Sequence, residues 1–528
     1  MMYATSTRQW GRIVAATGVI LSMTAVSACG NGAAATDRSG KPVVTVALLQ
    51  NSDAQGKLKD AQWAKELEQA CGCTIKWTQS NPTSWTQQKN AVLASGDVAD
   101  LSFNLYDQTD FSLNPVFEDL SDDLDKMPNV RKLLENKNNE AVKKYAYTLD
   151  GKLYQIPSYT PTIENVGTGQ NWMINKTWLD KLGLKVPTTW DELTRVLEAF
   201  KTQDPNGNGK QDEIPFDINA LGTNGFSWYS PFLLMNSTGI STSVTSASGS
   251  QGMYVKNGKV ANFMLDDEYR EVVGYLHELI SKGLVPSDAM TKDSSKYNAE
   301  LQSDGKTALV GMAIGWDRYA FGDLKDQYVS IATPSAPGHT AVWEQGQDSA
   351  YAGAAVKADS PNKDAIFKII DKMVEPDVSV SAYWGDMPKY VEKRAEGDYL
   401  VKPEAMDGTA VKYGWSNRVF AFWNKGTVID GVDDLKVYNG DLAATQAQMP
   451  GDGNYMPFYV MPDQTDNTTI SNNNVAILDY VVPKTVEWIV NGGLDDAAWN
   501  DFKAGLKKLN IDQNVELWQK WYDAYAKE

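Results

Sequence analysis

Histidine and cysteine are scarce in this chain of 528 residues, with only His277, His339, Cys29, Cys71 and Cys73. Two histidines are too few for most acid–base chemistry, and without paired Cys-x-x-Cys sets they argue against zinc. Also missing are a Gly-x-Ser-x-Gly elbow, a His-Glu-x-x-His helix and a Gly-x-x-x-x-Gly-Lys-Ser/Thr phosphate loop. Positive charge is in deficit, 49 Lys and Arg against 67 Asp and Glu, for a net charge of −18. Such a surface repels phosphate backbones and anionic polymers, so nucleic acid and polyuronates are poor partners at long range.

Apolar runs are missing as well, except at the start. Arg8 and Arg12 precede the stretch Ile13 to Val26, which leads into Val26-Ser27-Ala28-Cys29-Gly30. The stretch is too short for a permanent membrane helix. It reads as a secretory signal over residues 1–28 ending in a lipobox, with a diacylglycerol expected on Cys29. A plain signal peptide cut elsewhere is the alternative. Residues 29–40, rich in Gly, Ala and Ser, then form a flexible linker from a lipid anchor to a soluble body. This places the protein on the outer face of the plasma membrane. Loss of Arg8 and Arg12 with the leader takes the net charge from −18 to about −20. Cys71 and Cys73, separated by one Gly, either form a small disulfide or remain two thiols.

The sharpest chemical signal is Asp204-Pro205-Asn206-Gly207-Asn208-Gly209-Lys210-Gln211-Asp212-Glu213. Oxygen donors recur at alternate positions, as in an EF-hand loop: Asp204, Asn206, Asn208, the Lys210 carbonyl and Asp212, with Gly209 at the sharp turn. Pro215 stands where the bidentate Glu of an EF-hand belongs, so the missing oxygens fall to Glu213. The expected cofactor is one structural calcium ion. A solvated Asp/Asn/Gly turn is the alternative.

The body is too long for one core, so two α/β lobes are expected. A buried-strand run, Val43 to Leu49, is followed by a helix carrying Leu58, Ala61, Ala64, Leu67 and Ala70, a strand from Thr74 to Thr78, and a helix through Trp85 to Leu93. That rhythm belongs to a parallel sheet. Thr189-Trp190-Asp191-Glu192 is a capping box opening an amphipathic helix that feeds the oxygen-rich loop. Further helices are expected over Asp267 to Lys282 and twice between Ala497 and Lys527.

Several stretches resemble one family. Leu93-Ala94-Ser95-Gly96-Asp97-Val98-Ala99-Asp100-Leu101 is similar to its LASGD-x-PD turn, with Ala99 for the usual Pro. Asp150-Gly151-Lys152-Leu153-Tyr154-Gln155-Ile156-Pro157 resembles its DGK-x-Y-x-x-P hairpin. Asn175 to Leu184 and Pro187 to Leu193 resemble its most recognisable block. The family is that of the extracellular solute-binding proteins of ABC importers, of the large oligosaccharide-binding kind that includes calcium-containing alginate-binding proteins. The resemblance implies an α/β, two-lobed periplasmic-binding-protein-like fold with a hinge and extra C-terminal helices. Residues 41–160 plus about 305–370 would form one lobe, and about 161–304 plus 371–528 the other. It also implies a monomer that is not an enzyme and that hands an oligosaccharide to permease subunits. The calcium ligands of that family map onto Asp204, Asn206, Asn208, Lys210 through its carbonyl, Asp212 and Glu213.

Sugars need aromatic faces and hydrogen-bonding groups, and the chain has 17 Trp and 24 Tyr. Trp63, Trp178, Trp190, Trp499 and Trp518 sit at helical spacing among apolar neighbours and read as core. Trp228, Tyr229, Trp316, Asp317, Arg318, Trp384, Trp415 and Trp423 lie in loop-like surroundings and are the ligand candidates. Asn51 and Asp53 after the first strand, and Asn104 and Asp107 after the strand ending at Phe103, could add hydrogen bonds at strand carboxyl ends or simply form turns. The sugar expected is neutral and plant-derived, of manno- or xylo-type. A secreted carbohydrate-active enzyme and a cell-surface glycan-adhesion module are the rival readings.

Overall fold

The computed structural model describes residues 35–49, 58–160, 170–221, 226, 230–242, 248–315, 318–343, 349–407, 410–411, 422–423, 426–431 and 447–527. Eleven strands build its two main sheets and a hairpin: β1 (Val43–Leu49), β2 (Thr74–Ser80), β3 (Leu101–Phe103), β4 (Ile156–Thr160), β5 (Asn171–Asn175), β6 (Ile214–Asp217), β7 (Met253–Lys256), β8 (Lys259–Asn262), β9 (Val310–Gly315), β10 (Tyr328–Ile331) and β11 (Ser349–Val356).

The first sheet runs β2-β1-β3-β11-β4. β1 is parallel to both β2 and β3, as the strand–helix rhythm predicts. The connecting helices are Gln62–Cys71, closed by Gly72 in the left-handed conformation, and Pro82–Ser95, which Asn81 caps by accepting the Ser84 amide and Gly96 ends. β11 enters antiparallel between β3 and β4. Its register slips between Tyr351 and Ala354, where a Cβ on Gly353 would stand 1.7 Å from the Ile156 carbonyl oxygen. Only glycine fits there.

The second sheet runs β10-β5-β9-β6. Every residue of β5 and β9 is buried, so these strands read as continuous runs rather than alternations. Helices Trp190–Thr202 and Asp267–Ser281 cover this sheet, and Trp190 stacks on Tyr275 at 4.1 Å. Thr189 accepts the Glu192 amide, while the Glu192 carboxylate turns back to Thr188, accepting from its amide at 2.9 Å and its hydroxyl at 2.7 Å. The C-terminal helices are Gln464–Asn491, Asp496–Lys508 and Ile511–Ala526; the first two and the start of the third pack into the core of the second sheet.

The lobes therefore divide differently from the sequence expectation in one place. β9 and β10 belong to the second sheet, whereas residues 305–370 were expected together in the first lobe; only β11 returns. Helix Lys363–Met373 then packs on the first core, and the start of the region expected in the second lobe follows it: Val374, Val378, Ala382 and Phe422 belong to the same cluster. A small sheet of Val391–Ala395, Asp398–Val401 and Val428–Asp430 lies beside it. A disulfide joins Cys71 to Cys73. All five tryptophans assigned to core are buried.

One buried ionic group stands out. Lys292, its side chain 1% exposed, bonds Asp217 at the end of β6 and Glu300 at 2.9 Å. Burial pushes the Asp217 carboxyl up, against the opposing pull of Lys292. Removing the cation strands two carboxylates in a dry site. Lys292→Met is expected to cost about 3–5 kcal/mol, read as a lowered midpoint in urea unfolding.

Candidate functional site

Two regions carry chemistry. The first is the loop that follows helix Trp190–Thr202 and ends in β6. Asp204 adopts φ 46°, a left-handed conformation that starts the turn, and Gly207 and Gly209 follow at 73° and 74°. The Asp204 carboxylate gathers three amides: Oδ1 accepts from Gly207 at 2.9 Å and Asn208 at 3.1 Å, and Oδ2 from Gly209 at 3.1 Å. Asn206 Oδ1 accepts the Asn208 amide at 3.0 Å, and Asn208 Oδ1 the Lys210 amide at 2.8 Å. Asn208 Nδ2 donates to both oxygens of Asp212, at 3.0 and 3.2 Å. Lys181 donates to the carbonyls of Asp204 and Pro205, at 3.3 and 2.8 Å.

Glu213 is the exception in this network. Both its carboxylate oxygens are buried and meet no donor at bonding geometry. Burial raises its carboxyl above the usual range, and Asp204 and Asp212 raise it further. A carboxylate whose oxygens are withdrawn from water beside two more carboxylates is a setting that favours a bound cation. Among the described residues no three His, Cys, Asp or Glu side chains converge on one point. The donor set in the loop is instead mixed, with three carboxylates, two amides and a backbone carbonyl, which suits calcium better than softer metals.

The second region is a groove of about 500 Å³ where the two halves of the fold meet. One wall comes from the first lobe: Asp107 and Gln108 beyond the carboxyl end of β3, and the turn Thr148-Leu149-Asp150. That turn is tight because the Thr148 amide bonds the Lys152 carbonyl at 2.9 Å and Gly151 takes φ 82°. The opposite wall comes from the C-terminal helices: Met461, Pro462, Asp463, Asn467, Trp521 and Tyr525. Leu149 packs into the cluster that holds Met456, Val460, Trp518 and Tyr525. Tyr145 meets Phe458 at 5.6 Å, so the walls also touch beside the groove. Trp521 is fixed by its indole N–H, which donates to Asp466 at 2.8 Å. The lining thus offers apolar and aromatic surface with carboxylates from Asp107, Asp150 and Asp463, and among its described residues no basic side chain.

The structure places the sequence candidates unevenly. Asp107 lines the groove; its carboxylate also caps helix Gln108–Leu113 by accepting the Asp110 amide at 3.2 Å. Asn104 lies in the left-handed turn after β3, its amide donating to the Gly353 carbonyl. Arg318 is half-buried at the start of a 3-10 segment, Arg318–Gln327. Trp384 and Trp423 lie in a hydrophobic cluster with Val391, Tyr399 and Ile429, 8% and 4% exposed. Asn51, Asp53, Trp228, Tyr229, Trp316, Asp317, Trp415 and Cys29 lie outside the described residues. Trp521 and Tyr525 read from the sequence as packing residues of the last helix, and neither they nor Asn467 were among the ligand candidates. Trp521 and Tyr525 have helical spacing, which marks packing residues equally well.

The profile of the family described as bacterial extracellular solute-binding protein matches residues 52–380. A solved extracellular solute-binding protein from Bifidobacterium longum subsp. infantis is 40% identical, with a TM-score of 0.87 over 93% of this chain and all of that one. A human-milk-oligosaccharide-binding (HMO-binding) solute-binding protein from Bifidobacterium longum infantis, associated with an ABC transporter, is also 40% identical, with a TM-score of 0.85 over 92% of this chain and 99% of that one. The fructooligosaccharide ABC transporter substrate-binding protein FusA of Streptococcus pneumoniae is 29% identical over 87% of this chain and 86% of its own. A structure of FusA as an EF-hand mutant with fructo-nystose superposes with a TM-score of 0.74 at 26% identity, over 92% of this chain and 99% of that one.

The state of Glu213 gives a signed expectation for metal-free protein. Its carboxyl is raised on folding, so its contribution favours the fold below the ordinary Glu range and is lost as pH rises through the raised value. In chelator, Glu213→Gln is therefore expected to stabilise at pH 7 and to be neutral near pH 4. Melting curves of both proteins in excess chelator at the two pH values check it.

Proposed function

This chain belongs to the bacterial extracellular solute-binding proteins, a family of binders and not of enzymes, and from that we propose that it captures a neutral oligosaccharide between its lobes for an ABC importer. The observation that carries the saccharide is the groove. Its walls come from both lobes, and it combines aromatic and aliphatic surface with carboxylate acceptors. Sugar rings present C–H patches to the first and hydroxyl donors to the second. Carboxylates outnumber basic side chains among the described residues of the lining, which disfavours uronates and other anionic sugars, although Lys89 and Lys152 stand 3.8 and 3.9 Å behind Asp107 and Asp150. The 40% identical relative described as HMO-binding, and FusA, bring milk-type and fructo-type chains to the front. The manno- and xylo-type chains expected from sequence belong in the same test.

Calcium is part of the proposal. Asp204, Asn206, Asn208, the Lys210 carbonyl, Asp212 and Glu213 would hold it, and bound there it supplies a structural staple between helix Trp190–Thr202 and β6. Lipidation at Cys29, which would tether the protein outside the plasma membrane, also belongs to the proposal. Among the described residues no helix is long and apolar enough to cross a membrane.

Calorimetry and tryptophan fluorescence with fructo-, milk-type, manno- and xylo-oligosaccharides are expected to show saturable binding to one class, with the sugar recovered intact. Product release would replace the reading with an enzyme, and silence across the panel with an adhesion module. Calcium at about 100 times its dissociation constant is expected to add about 2.7 kcal/mol to stability, and chelator to lower the melting temperature while leaving sugar binding largely intact. Identical melting curves in calcium and in chelator would remove the metal from the proposal.

A further inference from the structure

Two aromatic residues of the groove come from one helix. Trp521 and Tyr525 stand four residues apart on helix Ile511–Ala526, which puts them on the same side of it, and both line the groove. They are held differently. Tyr525 is 5% exposed and belongs to the cluster of Met456, Val460 and Trp518, whereas Trp521 is half-buried and packs only at the border of that cluster. Trp521 has polar restraints in addition. Its indole N–H donates to Asp466 Oδ2 at 2.8 Å, and the same oxygen accepts from the Lys520 ammonium at 2.6 Å. That ammonium also lies over the Trp521 ring, 5.0 Å from its centre, in a cation–π contact.

Asp466 is itself fixed. It stands in the first turn of helix Gln464–Asn491, where its amide donates to the Asp463 carboxylate at 2.9 Å and its own charge meets the positive end of the helix. Its side chain is only 16% exposed. The bond from Lys520, and after it the bond from Trp521, holds its carboxyl below the usual range against the opposing effect of burial, so it remains a charged acceptor. An indole turns about two side-chain bonds, and tying its N–H to a charged acceptor on a separate helix sets the tilt of the ring. A sugar ring that packs its C–H groups on an aromatic face gains most when that face is already in place, because the ordering cost has been met before binding.

We propose that Trp521 is the surface on which a sugar ring stacks in the groove, and that Asp466 is its positioning residue, acting through the indole N–H. The assignment rests on the saccharide reading of the groove and deepens it by naming the side chain that takes the ring and the one that aims it. Asp466 is not among the residues that line the groove, so its effect on affinity passes through Trp521.

Calorimetry on the full chain tests this, with the sugar of the fructo-, milk-type, manno- and xylo-panel that the wild type binds tightest. The variants are Trp521→Leu, Trp521→Phe, Asp466→Ala and the double variant Trp521→Phe with Asp466→Ala. The Leu variant keeps apolar bulk beside the cluster and loses the flat face; the Phe variant keeps a flat face and loses the N–H. Trp521→Leu is expected to weaken binding roughly tenfold, and Trp521→Phe and Asp466→Ala each roughly two- to fivefold. Without an indole N–H Asp466 has nothing left to aim, so the double variant is expected to match Trp521→Phe. A purely structural Asp466 predicts that the two losses multiply, and that result overturns the positioning role. Wild-type affinity in Trp521→Leu overturns the stacking role. Should Trp521→Leu fail to fold, the other three variants decide, since a Trp521 that touches no sugar predicts wild-type affinity in all of them. A wild type that binds nothing in the panel removes the saccharide reading and this assignment together, whereas a wild type that binds beside an indifferent Trp521→Leu removes the assignment alone.

Discussion

The first sheet is left unfinished until the chain has built the second. β11, which sits between β3 and β4, is made only after β5, β6, β9 and β10 have formed a sheet of their own. A gap between β3 and β4 would leave two rows of buried backbone donors and acceptors unpaired, and the fold can close it only by sending the chain back. Return crossings follow from that requirement, and so does a boundary between the lobes where no strand pairs across. The groove lies along this boundary, lined by Asp107 and Leu149 on one side and Trp521 and Tyr525 on the other. A groove with walls from both lobes is one consequence of that topology.

Crossings also carry a cost. A segment leaving a sheet has backbone groups with no strand beside them, and at Thr333 the partner is the side chain of Gln448. Hinges in two-lobed proteins absorb large changes in a few backbone angles.

Local signals in the sequence report local structure well. Thr189 to Glu192 opens the helix it predicts, Gly283 with φ 64° follows the end of Asp267–Ser281, and Gly96 ends the helix after β2. The parallel start of the first sheet is legible because β1 and β2 are apolar runs separated by a helix of the right period. Helix Gln464–Asn491 is not, because its face includes the polar run Ser471 to Asn474 and Pro483 interrupts it. Tertiary packing of Ile477, Val481 and Ile489 overrides those poor formers. The groove escapes a reading from sequence for a different reason. Its walls are far apart along the chain, and an aromatic residue on a helix looks the same whether it faces a core or a cleft. Trp384 and Trp423 have polar neighbours along the sequence, yet a local cluster buries both.

The two ends of the four-residue strand β6 differ in how a carboxylate finds its counter-charge. Asp217 closes it, and there the chain provides its own cation, because Lys292 reaches in from the segment before helix Ser294–Gln302 and Glu300 shares it. Glu213 precedes it, equally in need of a counter-charge, and there the chain provides none: Lys181, the nearby ammonium, is spent on the carbonyls of Asp204 and Pro205. Two carboxylates flank one buried strand, and burial raises both, Asp217 the more strongly. The first is compensated by an ion pair that the chain supplies itself, and the second would be compensated by an ion that the surrounding amide and carboxylate oxygens are chemically suited to hold. A loop built only to turn would have no reason to bury Glu213 with both oxygens unsatisfied, and that asymmetry argues for a divalent cation more strongly than the spacing of the oxygen donors alone.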